Sequence, residues 1–140
     1  MKIAFLLLLS FFSVVTLAQS VSVMSYNIRL DTEADGINQW KNRRDKVIAL
    51  IKKNNPDLLG VQEALHNQMM DLQKGLSEYE FIGVGRDDGK EKGEYSAIFY
   101  KKSRFEVIKK KRLWLSETPE IAWKQKLGCQ PLPGLFQLLC

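Results

Sequence analysis

The segment Asp57-Leu58-Leu59-Gly60-Val61-Gln62-Glu63 limits the possible folds more than any other part of the chain. Leu58 to Val61 is an unbroken apolar run, preceded by Pro56-Asp57 and stopped by an amide and a carboxylate. So short a run bounded by turn residues reads as a strand, and one apolar on both faces reads as a buried strand rather than an exposed edge. The chain must therefore build a sheet covered on its faces. It must also end this strand on Gln62 and Glu63.

The flanking sequence alternates strand and helix signals. Val21 to Ile28 is a β-branched and aromatic run with alternating faces, which predicts the first strand. Gly36 to Asn38 reads as a turn. Trp40 to Lys53 then carries Trp40, Val47, Ile48, Leu50 and Ile51 at helical spacing, and Asn54-Asn55-Pro56 stops it. Leu65 to Leu76 is a second amphipathic helix with Leu65, Met69, Leu72 and Leu76 on one stripe. Tyr79 to Val84, Ser96 to Tyr100 and Phe105 to Ile108 are further strand candidates, and the glycine-rich, charged stretch between the first two is a loop. This order predicts an α/β layered sheet.

With 140 residues there is room for one ordinary domain, and the first stretch is not part of it. Met1 to Ser20 has a lysine near its start, an apolar run from Ile3 to about Val15, and small residues around Ala18. That pattern reads as a signal peptide cleaved after Ala18, giving an exported protein, periplasmic or extracellular. An uncleaved anchor is the alternative, but the run falls short of the roughly 20 apolar residues a spanning helix needs. No stable membrane insertion is expected once the leader is gone. The formal charge of +5 is mildly attractive to phosphates but identifies no partner, because runs such as Lys52-Lys53, Lys101-Lys102 and Lys109-Lys110-Lys111-Arg112 most often form solvated rims. Cys129 and Cys140 make no disulfide framework.

A carboxylate at the C-terminal end of a buried strand faces the crevice in which layered α/β proteins bind ligands. Glu63 is placed to hold a divalent ion, and hard oxygen ligands suit magnesium, with manganese as the alternative. Asn27 ends the first strand in the same manner, where an amide can orient a phosphate oxygen or a bound water. At this stage a second reading stays open. Glu63 could cap the following helix and Asn27 could shape a turn.

Tyr26-Asn27-Ile28-Arg29, Trp40 with Arg43, the Asn55–Leu72 segment, the stretch from Gly83 to Phe105, and Trp114-Leu115-Ser116-Glu117-Thr118-Pro119-Glu120 follow in order. Together they resemble the endonuclease/exonuclease/phosphatase superfamily of the deoxyribonuclease I-like fold, from about Val21 to Glu120. The resemblance implies the N-terminal half of a four-layer α/β-sandwich, an incomplete domain with one mainly antiparallel mixed sheet and helices on its outer face. It also implies a metal-dependent phosphoesterase or phosphodiesterase. Glu63 matches the metal ligand and Asn27 a catalytic residue beside the scissile phosphate. Arg86 matches a phosphate-binding position and Glu94 a second catalytic one, both bordering the cleft. The substrate is a phosphate ester, whether nucleic acid, lipid or sugar phosphate. The resemblance also implies a histidine base, oriented by an aspartate, from the other half of the family domain. His66 does not match that histidine and reads as a surface residue, and Trp114 reads as core.

The domain reading is thus a leader at 1–18, a partial domain at 19–121, and a tail at 122–140 without strand or helix periodicity. Codons for Trp123 to Cys129 can be chosen so that a shift of one nucleotide spells Gly-Ser-Lys-Ser-Trp-Asp, the kind of continuation the family shows. A frameshift near Ala122 is therefore expected, and the product is expected to be inactive, with an uncovered sheet face open to self-association. The gene's nucleotide sequence tests this. The alternative function is a non-catalytic basic module binding polyanions, which the distribution of lysines and aromatics does not favour.

Overall fold

A computed structural model describes residues 20–111. The leader, Trp114, the 122–140 tail and both cysteines lie outside the described residues. The chain runs β1 (Val23–Asn27), a short 3-10 helix (Glu33–Asn38), α1 (Trp40–Asn54), β2 (Leu58–Ala64), α2 (His66–Gly75), β3 (Tyr79–Ile82) and β4 (Tyr95–Lys101). The strands form one mixed sheet in the order β1-β2-β4-β3. β1 and β2 are parallel, joined through α1 as parallel neighbours must be, and the other two pairs are antiparallel.

Helix α1 stops where its sequence said it would. Asn55 adopts the left-handed conformation that closes helices, its N–H returns to the Ile51 carbonyl, and Pro56 prevents continuation. Trp40, Val47 and Ile51 form the buried stripe of α1. The Trp40 indole N–H donates to Asp71 Oδ2 at 2.8 Å, which fastens α1 to α2.

Register decides which sheet face is the core. Leu59 lies opposite Phe99 and Val61 opposite Ala97, and all four are buried in one cluster with Val47, Ile51, Met69 and Leu72. The alternate residues Leu58, Gly60 and Gln62, opposite Tyr100, Ile98 and Ser96, form the other face, where all but Tyr100 are only half-buried. At the far end of the sheet Asp57 accepts from the Ser22 N–H at 2.9 Å and the Ser22 hydroxyl at 3.0 Å. It also receives Lys101 Nζ at 3.2 Å and the Arg104 guanidinium, so one carboxylate ties together the starts of β1 and β2 and the end of β4.

One expectation is corrected here. Phe105 to Ile108 is not a strand, and Ile108 is 96% exposed. β4, its neighbour in sequence, is already flanked by β2 and β3, and the segment joins neither edge strand, β1 or β3. The expected turn at Gly36 to Asn38 is present as a kink within the 3-10 segment: Gly36 takes a φ of 53°, the Gln39 N–H returns to the Gly36 carbonyl, and the Thr32 hydroxyl accepts the Ala34 N–H at the start of the segment.

Candidate active site

The parallel pairing of β1 and β2 puts both of their C-terminal ends at one end of the sheet, with Asn27 opposite Gln62. Strand alternation would then send the side chain of Glu63 to the same face as Leu59 and Val61, into the apolar core. A β-bulge prevents this. The register shifts between Gln62 and Ala64, Glu63 takes a φ of 61°, and Ala64 becomes the fully buried residue opposite Tyr95. The bulge turns Glu63 out of the core, and its Oε1 accepts a 2.7 Å hydrogen bond from Asn27 Nδ2. A left-handed conformation costs a non-glycine residue about 1–2 kcal/mol, and such strain concentrates at functional sites.

Asn27 is used at both ends of its amide. Its Oδ1 accepts the Arg29 N–H at 2.9 Å, which shapes a second left-handed residue, Arg29, at φ 62°. One hydrogen of Nδ2 goes to Glu63, which leaves the other for a further acceptor. The Arg29 guanidinium pairs with Asp35 through Nη2 at 3.1 Å and Nε at 3.2 Å. The hydrogen bond and charge of Asp35, with smaller contributions from Glu63 and Glu94, raise the Arg29 pKa above its ordinary value. Asp35 is lowered in return, chiefly by its hydrogen bond from Arg29.

Arg86 and Glu94 form a second pair, Nη1 to Oε2 at 2.9 Å, and Arg86 also meets Asp87 at 3.5 Å. Arg86 N–H donates to the Glu94 carbonyl, so the pair closes the neck of the 85–94 loop. Thus Asn27 meets Glu63, Arg86 meets Glu94, and Arg29 lies within the field of both glutamates. His66 lies at the surface as expected, its side chain 39% exposed, with Nδ1 2.9 Å from Tyr95 Oη, and that hydroxyl donates onward to the Lys90 carbonyl. A tyrosine packed under the loop needs partners for its hydroxyl, and His66 is one.

The donor chemistry fits a hard divalent cation. The second Glu63 oxygen is not used by Asn27, and magnesium keeps several waters while taking one or two protein carboxylates. Among the described residues there is no group of three or more His, Cys, Asp or Glu side chains that could cage a metal. Among the described residues, Glu63 is the carboxylate that would hold such an ion. Arg29 and Arg43 entered the sequence reading only as parts of the resemblance, and Asp35 and Gln68 were passed over as members of this region. Gln68 left a local trace, as a glutamine three residues after the helix N-cap Leu65.

Residues 24–134 match the model of the Endonuclease/Exonuclease/phosphatase family. The chain is similar to the endonuclease/exonuclease/phosphatase structure from Bacteroides vulgatus, with 47% identity and a TM-score of 0.70 over 73% of this chain and 39% of that one. It is similar to a mannosyl-6-phosphatase of Bacteroides thetaiotaomicron, with 40% identity and a TM-score of 0.71 over 74% of this chain and 40% of that one. A conserved protein of Enterococcus faecalis follows at 33% identity and 0.69, over 77% and 42%. The chain spans about two fifths of the length of these relatives. With the family model matched across most of its length and the sheet shared with solved members, the chain belongs to the endonuclease/exonuclease/phosphatase family, whose members hydrolyse phosphoric esters.

Proposed function

We propose that the ends of β1 and β2 form the cation-holding part of a magnesium-dependent phosphoester hydrolase, acting on a phosphate ester outside the cytoplasm. The observation that carries this reading is the 2.7 Å contact between Asn27 and a left-handed, bulged Glu63. Glu63 would hold the ion, with manganese able to replace magnesium. When bound, the ion supplies charge neutralisation at the phosphoryl oxygens. Asn27 fixes the rotamer of Glu63 and offers its remaining amide hydrogen to a phosphate oxygen. Arg29 adds positive charge beside both carboxylates, and Arg86 and Glu94 border the same cleft. The likeness to a mannosyl-6-phosphatase at 40% identity supports a sugar phosphate as the first substrate to try. The leader pattern of Met1 to Ala18 supports export.

The family resemblance puts the histidine base beyond the residues matched here, so these 140 residues by themselves are expected to bind the ion with little or no turnover. The test has two arms, both using mannose 6-phosphate and a nitrophenyl phosphodiester with phosphate or nitrophenol release as readout. One arm uses this chain alone. The other uses this chain joined to the remaining domain of the Bacteroides vulgatus relative. Magnesium-dependent hydrolysis in the joined protein, abolished by Glu63→Gln, is the expected result. Hydrolysis that survives both chelation and Glu63→Gln rejects the reading.

A further inference from the structure

Gln68 is fully buried, and its amide makes three hydrogen bonds, all to backbone. Its Oε1 accepts the N–H of Leu65 and the N–H of Asp31, each at 2.9 Å. Its Nε2 donates to the Arg29 carbonyl, also at 2.9 Å. Leu65 lies two residues after Glu63, and Arg29 lies two residues after Asn27. One side chain therefore grips the chain just beyond each strand end, on the same side of the sheet where the two site residues meet.

Both strand ends leave through a left-handed residue, Arg29 at φ 62° and Glu63 at φ 61°. Neither residue favours that conformation intrinsically, so the surroundings must impose it. The Leu65 side chain has no atom that could cap α2. The Gln68 carbonyl oxygen takes over half of a capping box, satisfies the Leu65 N–H, and spends its remaining valences on the other strand exit. Arg43 assists from one side only, donating to the Ile28 carbonyl at 2.6 Å and the Arg29 carbonyl at 3.3 Å. It has no bond to the Glu63 exit among those described.

We propose that Gln68 is the positioning residue of this site: a buried amide that braces the Arg29 and Glu63 turns together, so that Asn27 reaches the Glu63 carboxylate. The functional half of this proposal rests on the cation site proposed above, whereas the geometric half stands apart from it. An amide suits the position because it is neutral enough to bury, accepts twice and donates. Methionine, of similar length, does neither. Glutamate keeps the acceptor and loses the donor to Arg29.

The experiment compares the whole chain as wild type, Gln68→Met, Gln68→Glu, Trp40→Phe and Glu63→Gln. Trp40→Phe removes the Asp71 bond elsewhere between the same two helices and serves as the structural control. Backbone chemical shifts report φ at Arg29 and Glu63, the Asn27 side-chain NH2 resonance reports its bond to Glu63, and water-proton relaxation reports Mn2+ affinity. In Gln68→Met, the left-handed shifts at both residues are expected to be lost, the Asn27 resonance to move, and Mn2+ affinity to fall about tenfold or more. In Gln68→Glu, the shift at Arg29 is expected to be lost first. That variant also decides the matter should Gln68→Met fail to fold. Trp40→Phe is expected to lower the melting temperature while leaving the shifts and the affinity in place. Unchanged Arg29, Glu63 and Asn27 signals in either Gln68 variant overturn the proposal. Mn2+ affinity that ignores Glu63→Gln overturns the cation site instead, and the chemical shifts still judge the brace.

Discussion

At the scale of single residues, Glu63 carries a conformational cost that its neighbours do not. Glycine adopts φ 61° without strain, whereas glutamate there gives up about 1–2 kcal/mol. Glu63→Gly is therefore expected to keep or raise the melting temperature while removing divalent-ion binding, as thermal melts and Mn2+ titration of one sample will read. A melting temperature that drops by several degrees contradicts the view that the bulge stores strain for a functional purpose. Asn27→Ala separates orientation from ligation. It leaves the carboxylate in place and is expected to weaken the ion by about tenfold rather than abolish its binding.

At the scale of elements, Asp57 is the knot that joins β1, β2 and β4. The Ser22 N–H, then the Arg104 guanidinium, the Ser22 hydroxyl and Lys101 hold its carboxyl well below the usual carboxylate range, outweighing burial, which pushes the other way. An unfolded aspartate titrates near 3.9, so the stabilisation is complete above about pH 4 and is lost as pH falls below that value toward the folded one. Asp57→Asn is expected to melt lower than wild type at pH 7, and the gap is expected to shrink between pH 4 and pH 2. A gap that stays constant with pH rejects this assignment. On the core face, Phe99 is fully buried between Leu59 and Phe81, and Phe99→Ala is expected to cost about 3–5 kcal/mol in urea unfolding.

The elements that sequence reading placed correctly are those whose signals are local. α1 has its stripe and its Asn55-Pro56 stop within the helix itself, and the apolar run of β2 needs no partner to be recognised. Phe105 to Ile108 misled because strand periodicity does not show whether a segment finds a partner, and β4, the strand next to it in sequence, is already paired on both sides. The meeting of Asn27 and Glu63 was legible for the same reason. Strand ends bearing Asn27 and Glu63 are visible in the sequence, and parallel pairing brings them together. The bulge that turns Glu63 out of the core is a register event between strands, and Gln68 reaches across two loops distant in sequence. The bulge leaves no pattern in a single segment, and the place of Gln68 three residues after the N-cap does not show which backbone groups across the loops it reaches.

At the scale of the whole molecule, the described residues form a sheet with its two helices on one face and a half-buried second face containing Leu58 and Ile98. No helix among them is long and apolar enough to cross a membrane. An ion bound at the rim should stabilise the fold by mass action, about 2.7 kcal/mol at one hundred times its dissociation constant. Magnesium is thus expected to raise the melting temperature of wild type and not of Glu63→Gln. The most direct test of the account is a crystal of this chain grown with Mn2+ and measured at the manganese absorption edge. An anomalous peak in coordinating contact with the Glu63 carboxylate, with Asn27 still hydrogen-bonded to it, is the expected result. Manganese bound elsewhere, with Glu63 left in water, contradicts the account.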